Sequence, residues 1–243
     1  PALFSATELL GAYQRKTLSP VEVTEATLAR IEKFNPKFNA FRLVDPEKAL
    51  ADARASEERW IKGKPTGLID GIPSTIKDLV DTKGWSTRRG SLTTSDNGTW
   101  ENDAPLVARL RENGAVLLGK TTTPEFGWKG VTDSPLTGIT RNPWNPEKTP
   151  GGSSGGAAAA AAACLGALHH GSDGGGSIRM PSGYTGIYGL KPTFGRVPTW
   201  PASGFGTLSH QGPMTRTVND AALMLTVMAQ ADSRDWYAPV SYT

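Results

Sequence analysis

Residues 151–177 read GGSSGGAAAAAAACLGALHHGSDGGGS, two glycine–serine clusters on either side of an unbroken alanine run. The seven alanines Ala157 to Ala163 predict a helix, and with no polar face among them that helix is read as buried. The run is well short of the roughly 20 apolar residues that cross a bilayer. Ala167 to His170 then reads as a strand, and Gly174-Gly175-Gly176-Ser177 as a turn opening another short helix. Helix, strand and helix in quick succession point to an α/β protein.

The same texture extends outward. Ser19, Pro20 and Glu22 form a capping-box start for a helix running to about Phe34. A second helix is expected from Pro46 to Ile61, ending toward Gly63-Lys64-Pro65. Leu106 to Glu112 predicts a helix that leads through Gly114 into an apolar strand, Val116-Leu117-Leu118. Asn219 is read as the cap of a last helix, Asp220 to Gln230. There is no internal repeat and no linker-like stretch.

Composition excludes several classes. The 26 basic and 23 acidic residues of this 243-residue chain are dispersed, with no Lys/Arg block to follow a phosphate backbone, so nucleic acid is not an expected direct partner. Residues Pro1 to Ala6 lack the basic and apolar segments of a signal peptide, and the expected location is cytoplasmic, with no membrane contact. The single cysteine, Cys164, cannot form an internal disulfide and is expected to be a buried, inert thiol in a reducing compartment.

Three motifs compete for the chemistry. Gly114 to Thr121 satisfies the phosphate-loop expression GxxxxGK[ST], but its variable positions are Ala115-Val116-Leu117-Leu118, which favour a strand whose amides are spent in a ladder. Ser74-Thr75-Ile76-Lys77 with Ser95-Asp96-Asn97 imitates the SxxK and SDN motifs of penicillin-recognising enzymes, yet Pro73 precedes it and no KTG-like motif follows. The third is the paired glycine–serine pattern. Gly174, Gly175 and Gly176 place unhindered N–H groups before Ser177, the arrangement that holds a developing oxyanion beside a nucleophile, and Ser153 sits between glycine pairs.

A serine nucleophile needs a base. His169 and His170 cannot both face one side of a strand, and neither they nor His210 form a recognisable triad with a carboxylate. Lys77, set among apolar residues, is the remaining candidate, because burial disfavours an ammonium and lowers its pKa. Trp85, Trp128, Trp144 and Trp200 are read as core or edge packing, and none as a substrate contact.

Taken together, Gly71 to Asp78, Pro150 to Gly156 and Ser172 to Ser182 resemble the amidase-signature family. Leu118 to Phe126, Arg141 to Asn145 and Gly186 to Thr193 extend the resemblance. It implies an α/β fold with a mixed central β-sheet covered by helices on both faces. It also implies a single domain, 1–243, with a helical segment at 1–65 and the signature core at 66–243. Members of this family are about twice as long, so the chain is read as the N-terminal portion of an incomplete fold. Association is then expected with a C-terminal half or with another copy.

The resemblance assigns catalytic roles to Lys77, Ser153 and Ser177: Ser177 as nucleophile, Lys77 as base, Ser153 as the bridge between them. It places the oxyanion hole at the backbone N–H groups of Gly174, Gly175, Gly176 and Ser177, with Ser154, Asp173 and Arg179 in support, and it implies a cis peptide at Gly152-Ser153. The implied activity is hydrolysis of a small-molecule linear carboxamide through an acyl-enzyme, with no metal and no cofactor. The alternatives are the glutamine-hydrolysing component of a tRNA-dependent amidotransferase and a catalytically idle truncated scaffold.

Overall fold

A computed structural model describes residues 1–238. The chain begins with α1 (Ala6–Gln14) and α2 (Pro20–Phe38), each opened by a capping box, at Ser5/Glu8 and Ser19/Glu22. The second helix passes through Pro36 and outruns the expected end at Phe34, closing on Asn39 in the left-handed conformation. The opening stretch also contributes a strand, β1 (Phe41–Val44), before α3 (Pro46–Ile61), whose Asp45 cap accepts from the Lys48 N–H.

The core then alternates: β2 (Pro73–Lys77), α4 (Pro105–Glu112), β3 (Val116–Thr121), a two-stranded ribbon of β4 (Asp133–Ser134) and β5 (Gly138–Ile139), α5 (Gly155–Ala162) and β6 (Leu168–Asp173). It ends with α6 (Arg179–Thr185), β7 (Tyr188–Gly189), β8 (His210–Thr215) and α7 (Val218–Met228). Thr217, not Asn219, caps α7: its hydroxyl accepts from the Asp220 N–H, because Thr217 is extended and Asn219 already lies within the helix.

The six-stranded sheet has the order β1-β3-β2-β6-β8-β7, with β3, β2 and β6 parallel and the outer pairings antiparallel. Alternation along β3 divides the apolar interior. Leu117 packs with α1, α4 and α7, whereas Val116 and Leu118 pack with α2, α3 and α5. Helices therefore cover both faces, as expected.

The apparent phosphate loop is part of this core. Gly119, at φ +152°, lies where an added Cβ would fall 2.0 Å from the Leu43 carbonyl oxygen, so the glycine admits β1 and binds no phosphate. Lys120 is buried, donating to the Val80 carbonyl and to the hydroxyls of Thr82 and Thr87. The SxxK reading also fails on geometry: Ser74 and Lys77 lie three apart on β2, hence on opposite faces, and the Ser74 hydroxyl donates to the Ile72 carbonyl.

The alanine helix α5 is buried almost all round, as its composition predicts. Its first turn runs close to the sheet: a Cβ on Gly156 would sit 2.4 Å from the Thr122 nitrogen. Cys164 departs from expectation. At φ +56° just after α5 it is half-buried, because the chain turns outward there to enter β6.

Candidate active site

From β2 the chain crosses to β3 on one side and later to β6 on the other, so the carboxyl end of β2 is a point where the strand order reverses. In open α/β sheets such a point leaves a crevice. Lys77 is the last residue of β2, Asp173 the last of β6, and the glycine–serine turn before α5 sits above both. The peptide bond between Gly152 and Ser153 is cis, as the resemblance implied. Gly152 is required by packing, since a Cβ there would lie 2.7 Å from the backbone of Val131.

Lys77 is fully buried, and its Nζ lies 2.7 Å from Ser153 Oγ, 2.9 Å from Ser154 Oγ and 3.0 Å from Ser172 Oγ. Burial pushes its pKa down from 10.5 to about 7, against the opposing attraction of Asp173. Hydrogen-bond bookkeeping then fixes the direction of the bond to Ser154. The Ser154 hydroxyl donates to the Ser172 carbonyl at 3.1 Å and accepts from the Ser172 N–H at 3.2 Å, so toward Lys77 it can only accept. With one N–H of a neutral amine on Ser154 and the other accepted by Ser172, the lone pair is left for the Ser153 O–H, an arrangement the Ser172 hydroxyl permits by rotation. Ser154 and Ser172 thus hold the Lys77 amine against Ser153.

Sequence reasoning missed Ser172. The available signal was the two-residue period of β6, which puts His170 and Ser172 on one face. Both histidines are buried and held neutral by burial, at about 3. They face apart as expected: His169 Nδ1 meets Thr75 Oγ1 at 2.9 Å, whereas His170 Nε2 meets Gln211 Oε1 at 2.9 Å.

Ser177 stands half-buried on the loop between β6 and α6. Its carbonyl accepts from the Ser154 N–H at 3.2 Å, tying the two serine loops together. Its hydroxyl makes no hydrogen bond to Ser153, so the second link of the implied relay is open. Asp173 organises this loop. Its carboxylate accepts a two-pronged bond from Arg179, at 2.9 and 3.0 Å, and accepts from the N–H groups of Gly176, Ile178 and Arg179. Burial alone would raise its pKa, but these donors outweigh it and hold the carboxyl at about 2.

One expectation is corrected by these bonds. The Gly176 N–H donates to Asp173 Oδ1 at 2.7 Å and is not directed at an incoming oxyanion. The N–H groups of Gly174, Gly175 and Ser177 have no acceptor among the described residues and remain available.

Ser153 and Ser177 line one cavity of about 440 Å³. Trp128 and Trp200 also line it, contrary to their reading as packing residues; Trp85 alone of the four is a core side chain, and Trp144 is exposed. Trp128 stacks on Phe205 with ring centroids 5.5 Å apart, joining the 125–128 turn to the loop before β8 across the cavity mouth. That contact links two stretches of chain far apart in sequence, which no local pattern reveals. Among the described residues no cluster of His, Cys, Asp or Glu is placed to hold a metal.

A buried lysine thus lies beside a cis-linked serine, with a second serine on a glycine loop lining the same cavity of an α/β fold. The chain belongs to the amidase-signature family: the family profile described as Amidase matches residues 22–242. It is 41% identical to an indoleacetamide hydrolase of Bradyrhizobium diazoefficiens over 244 residues, 97% of this chain and 46% of that protein. It is 46% identical to an acylamidase of Rhodococcus erythropolis, covering 95% of this chain and 48% of the relative. It is also 46% identical to one of the subunits of the glutamyl-tRNA(Gln) amidotransferase of Methylococcus capsulatus, covering 94% of this chain and 47% of that protein. The crystal structure of a bacterial aryl acylamidase of the family superposes with a TM-score of 0.90 at 35% identity, covering 97% of this chain and 49% of that one. The chain thus spans about half the length of the curated relatives it matches. No described helix is long and apolar enough to cross a membrane.

Proposed function

We propose that this chain carries the catalytic serines and lysine of an amidase that hydrolyses the carbon–nitrogen bond of linear carboxamides. The observation that carries the reading is the bond between Lys77 and Ser153, 2.7 Å long, made by a lysine whose pKa is lowered to about 7. In the proposed reaction the Ser177 oxygen attacks the amide carbonyl. Its proton passes to Ser153 as the Ser153 proton passes to Lys77, after rotation of the Ser177 hydroxyl toward Ser153.

The N–H groups of Gly174, Gly175 and Ser177 receive the carbonyl oxygen as it becomes an oxyanion. Collapse breaks the C–N bond, and Lys77 returns a proton through Ser153 to the departing amine. Water then adds to the acyl-enzyme, giving up a proton along the same path, and release of the carboxylic acid restores Ser177. The test is peptide mapping after treatment with a fluorophosphonate. Labelling of Ser177 that falls in Lys77→Ala supports the reading; labelling of Ser74, or none at all, overturns it, and the latter favours an idle scaffold.

The similarity to glutamyl-tRNA(Gln) amidotransferase subunits supports a second reading, a glutamine-hydrolysing component that passes ammonia to partner proteins. Stable copurification of such partners from the source cell would favour it. In either case we propose that the exposed apolar side chains Trp128, Leu208, Val218 and Trp236 are covered by association, with a second copy or with sequence matching the other half of the relatives. A monodisperse monomer in light scattering would overturn this.

A further inference from the structure

Behind Gln211, which lines the cavity, runs a buried hydrogen-bonded chain that the reaction above does not use. At the end of β2 the ladder to β6 has stopped, its last pair being Thr75 and His169. The Lys77 N–H, on the β6 side of the strand, donates instead to Nδ1 of the His170 ring, at 3.4 Å. A backbone N–H can only donate, so Nδ1 must carry the lone pair and Nε2 the proton. Nε2 lies 2.9 Å from the side-chain amide of Gln211 and, as a donor, must meet its oxygen.

That sequence of donors fixes which way the Gln211 amide faces. Its oxygen is held by His170, so its NH2 group points away from that ring, on a residue that lines the cavity together with Ser153, Ser177 and Ser209. One N–H has a long contact of 3.5 Å to Ser209 Oγ, and the other has no acceptor among the described residues. Because burial keeps His170 neutral, the orientation does not reverse across the working pH range. Four aromatic side chains, Phe126, Trp128, Trp200 and Phe205, line the same cavity, together with Asp81 and Arg89.

We infer that Gln211 is a specificity-determining residue, donating a hydrogen bond to the substrate and selecting flat amides that carry a second hydrogen-bond acceptor outside the scissile amide. The inference rests on the proposed amidase reading, because it needs an amide in this cavity. Heteroaromatic carboxamides with an unprotonated ring nitrogen are the class that fits both the aromatic side chains and the Gln211 donor.

Binding separates this inference from the reaction. In Ser177→Ala, the affinity of phenylacetamide and of the three pyridylacetamides is measured by tryptophan fluorescence, at a pH where ring nitrogens are unprotonated and carboxylates ionised. At least one pyridyl isomer is expected to bind about tenfold more tightly than phenylacetamide, the worth of one net hydrogen bond. Gln211→Glu keeps an oxygen for His170 but turns an acceptor toward the cavity, so the preference should vanish or reverse; Gln211→Met should abolish it.

Equal binding of all four amides, a preference that survives both substitutions, or no saturable binding overturns the inference. Turnover of the four amides with Ser177 intact distinguishes the failures. Hydrolysis without discrimination sinks the role of Gln211 alone, whereas absence of both hydrolysis and fluorophosphonate labelling sinks the amidase reading itself.

Discussion

The Nζ of Lys77 lies 2.7 Å from the Oγ of Ser153, and with Ser154 and Ser172 accepting its N–H groups the neutral amine keeps its lone pair for that hydroxyl. A lysine in this position works as a base only when neutral. With its pKa lowered to about 7, the active form accumulates as pH rises through 7. Labelling of Ser177 by a fluorophosphonate should therefore accelerate with pH along a limb centred near 7. Lys77→Ala should lose that limb and label about a thousandfold more slowly, and Lys77→Arg should not rescue it, because guanidinium stays charged.

The same shift has a stability signature. The unfolded chain holds the Lys77 proton up to about pH 10.5 while the folded chain releases it near 7, so stability should rise with pH between those values. Lys120, lowered by burial to about 8, adds a similar slope from 8 upward. Chemical denaturation at pH 7 and pH 9 should show a smaller gain in Lys77→Met than in the parent chain.

Asp173 holds the Ser177 loop by accepting from Gly176, Ile178 and Arg179. Its folded pKa of about 2 is below the ordinary 3.8, so its contribution is complete above 3.8 and is lost as pH falls through 2. Asp173→Asn should cost about 2 kcal/mol at neutral pH, read from denaturant midpoints. It should also slow the labelling of Ser177 more than Arg179→Lys does, because the Arg179 side chain is half exposed and the carboxylate is not.

Gly156 provides a test of packing. Replacing a helical glycine by alanine ordinarily gains up to about 1 kcal/mol. Here the new Cβ would meet the Thr122 nitrogen at 2.4 Å, so Gly156→Ala should instead destabilise by roughly 1–3 kcal/mol and lower the melting temperature. A rise in melting temperature would mean that α5 is free to move away from the sheet.

The phosphate-loop pattern makes a negative prediction. With Gly119 packed against β1 and the Lys120 ammonium enclosed by Val80, Thr82 and Thr87, calorimetric titration with ATP and magnesium should give no binding heat. Lys120→Met should lower stability without altering any nucleotide response, since the loss is of buried hydrogen bonds.

Much of the architecture follows from local rules. Ser19, Pro20 and Glu22 suffice to start α2, and the alanine run suffices to make α5 helical and buried, because caps and propensities act over a few residues. Local rules misplaced what depends on context: the cap of α7 moved to Thr217, α2 ran on through Pro36, and β1 escaped notice because only its pairing with β3 makes four residues a strand.

The sequence by itself determined the family and pointed to Lys77, Ser153 and Ser177 as its candidate site residues, since these lie in contiguous motifs whose chemistry is carried by residue type. Tertiary structure decided the rest. Only folding brings Lys77 to Ser154 and Ser172, 77 and 95 positions away, and removes it from water far enough to yield its proton near pH 7. It also turns the Gly176 N–H toward Asp173, places Trp128 and Trp200 on a cavity wall, and orients Gln211 through His170. Burial and hydrogen-bond direction are properties of neighbours in space, and long-range pairings across a sheet leave no trace in short windows of sequence.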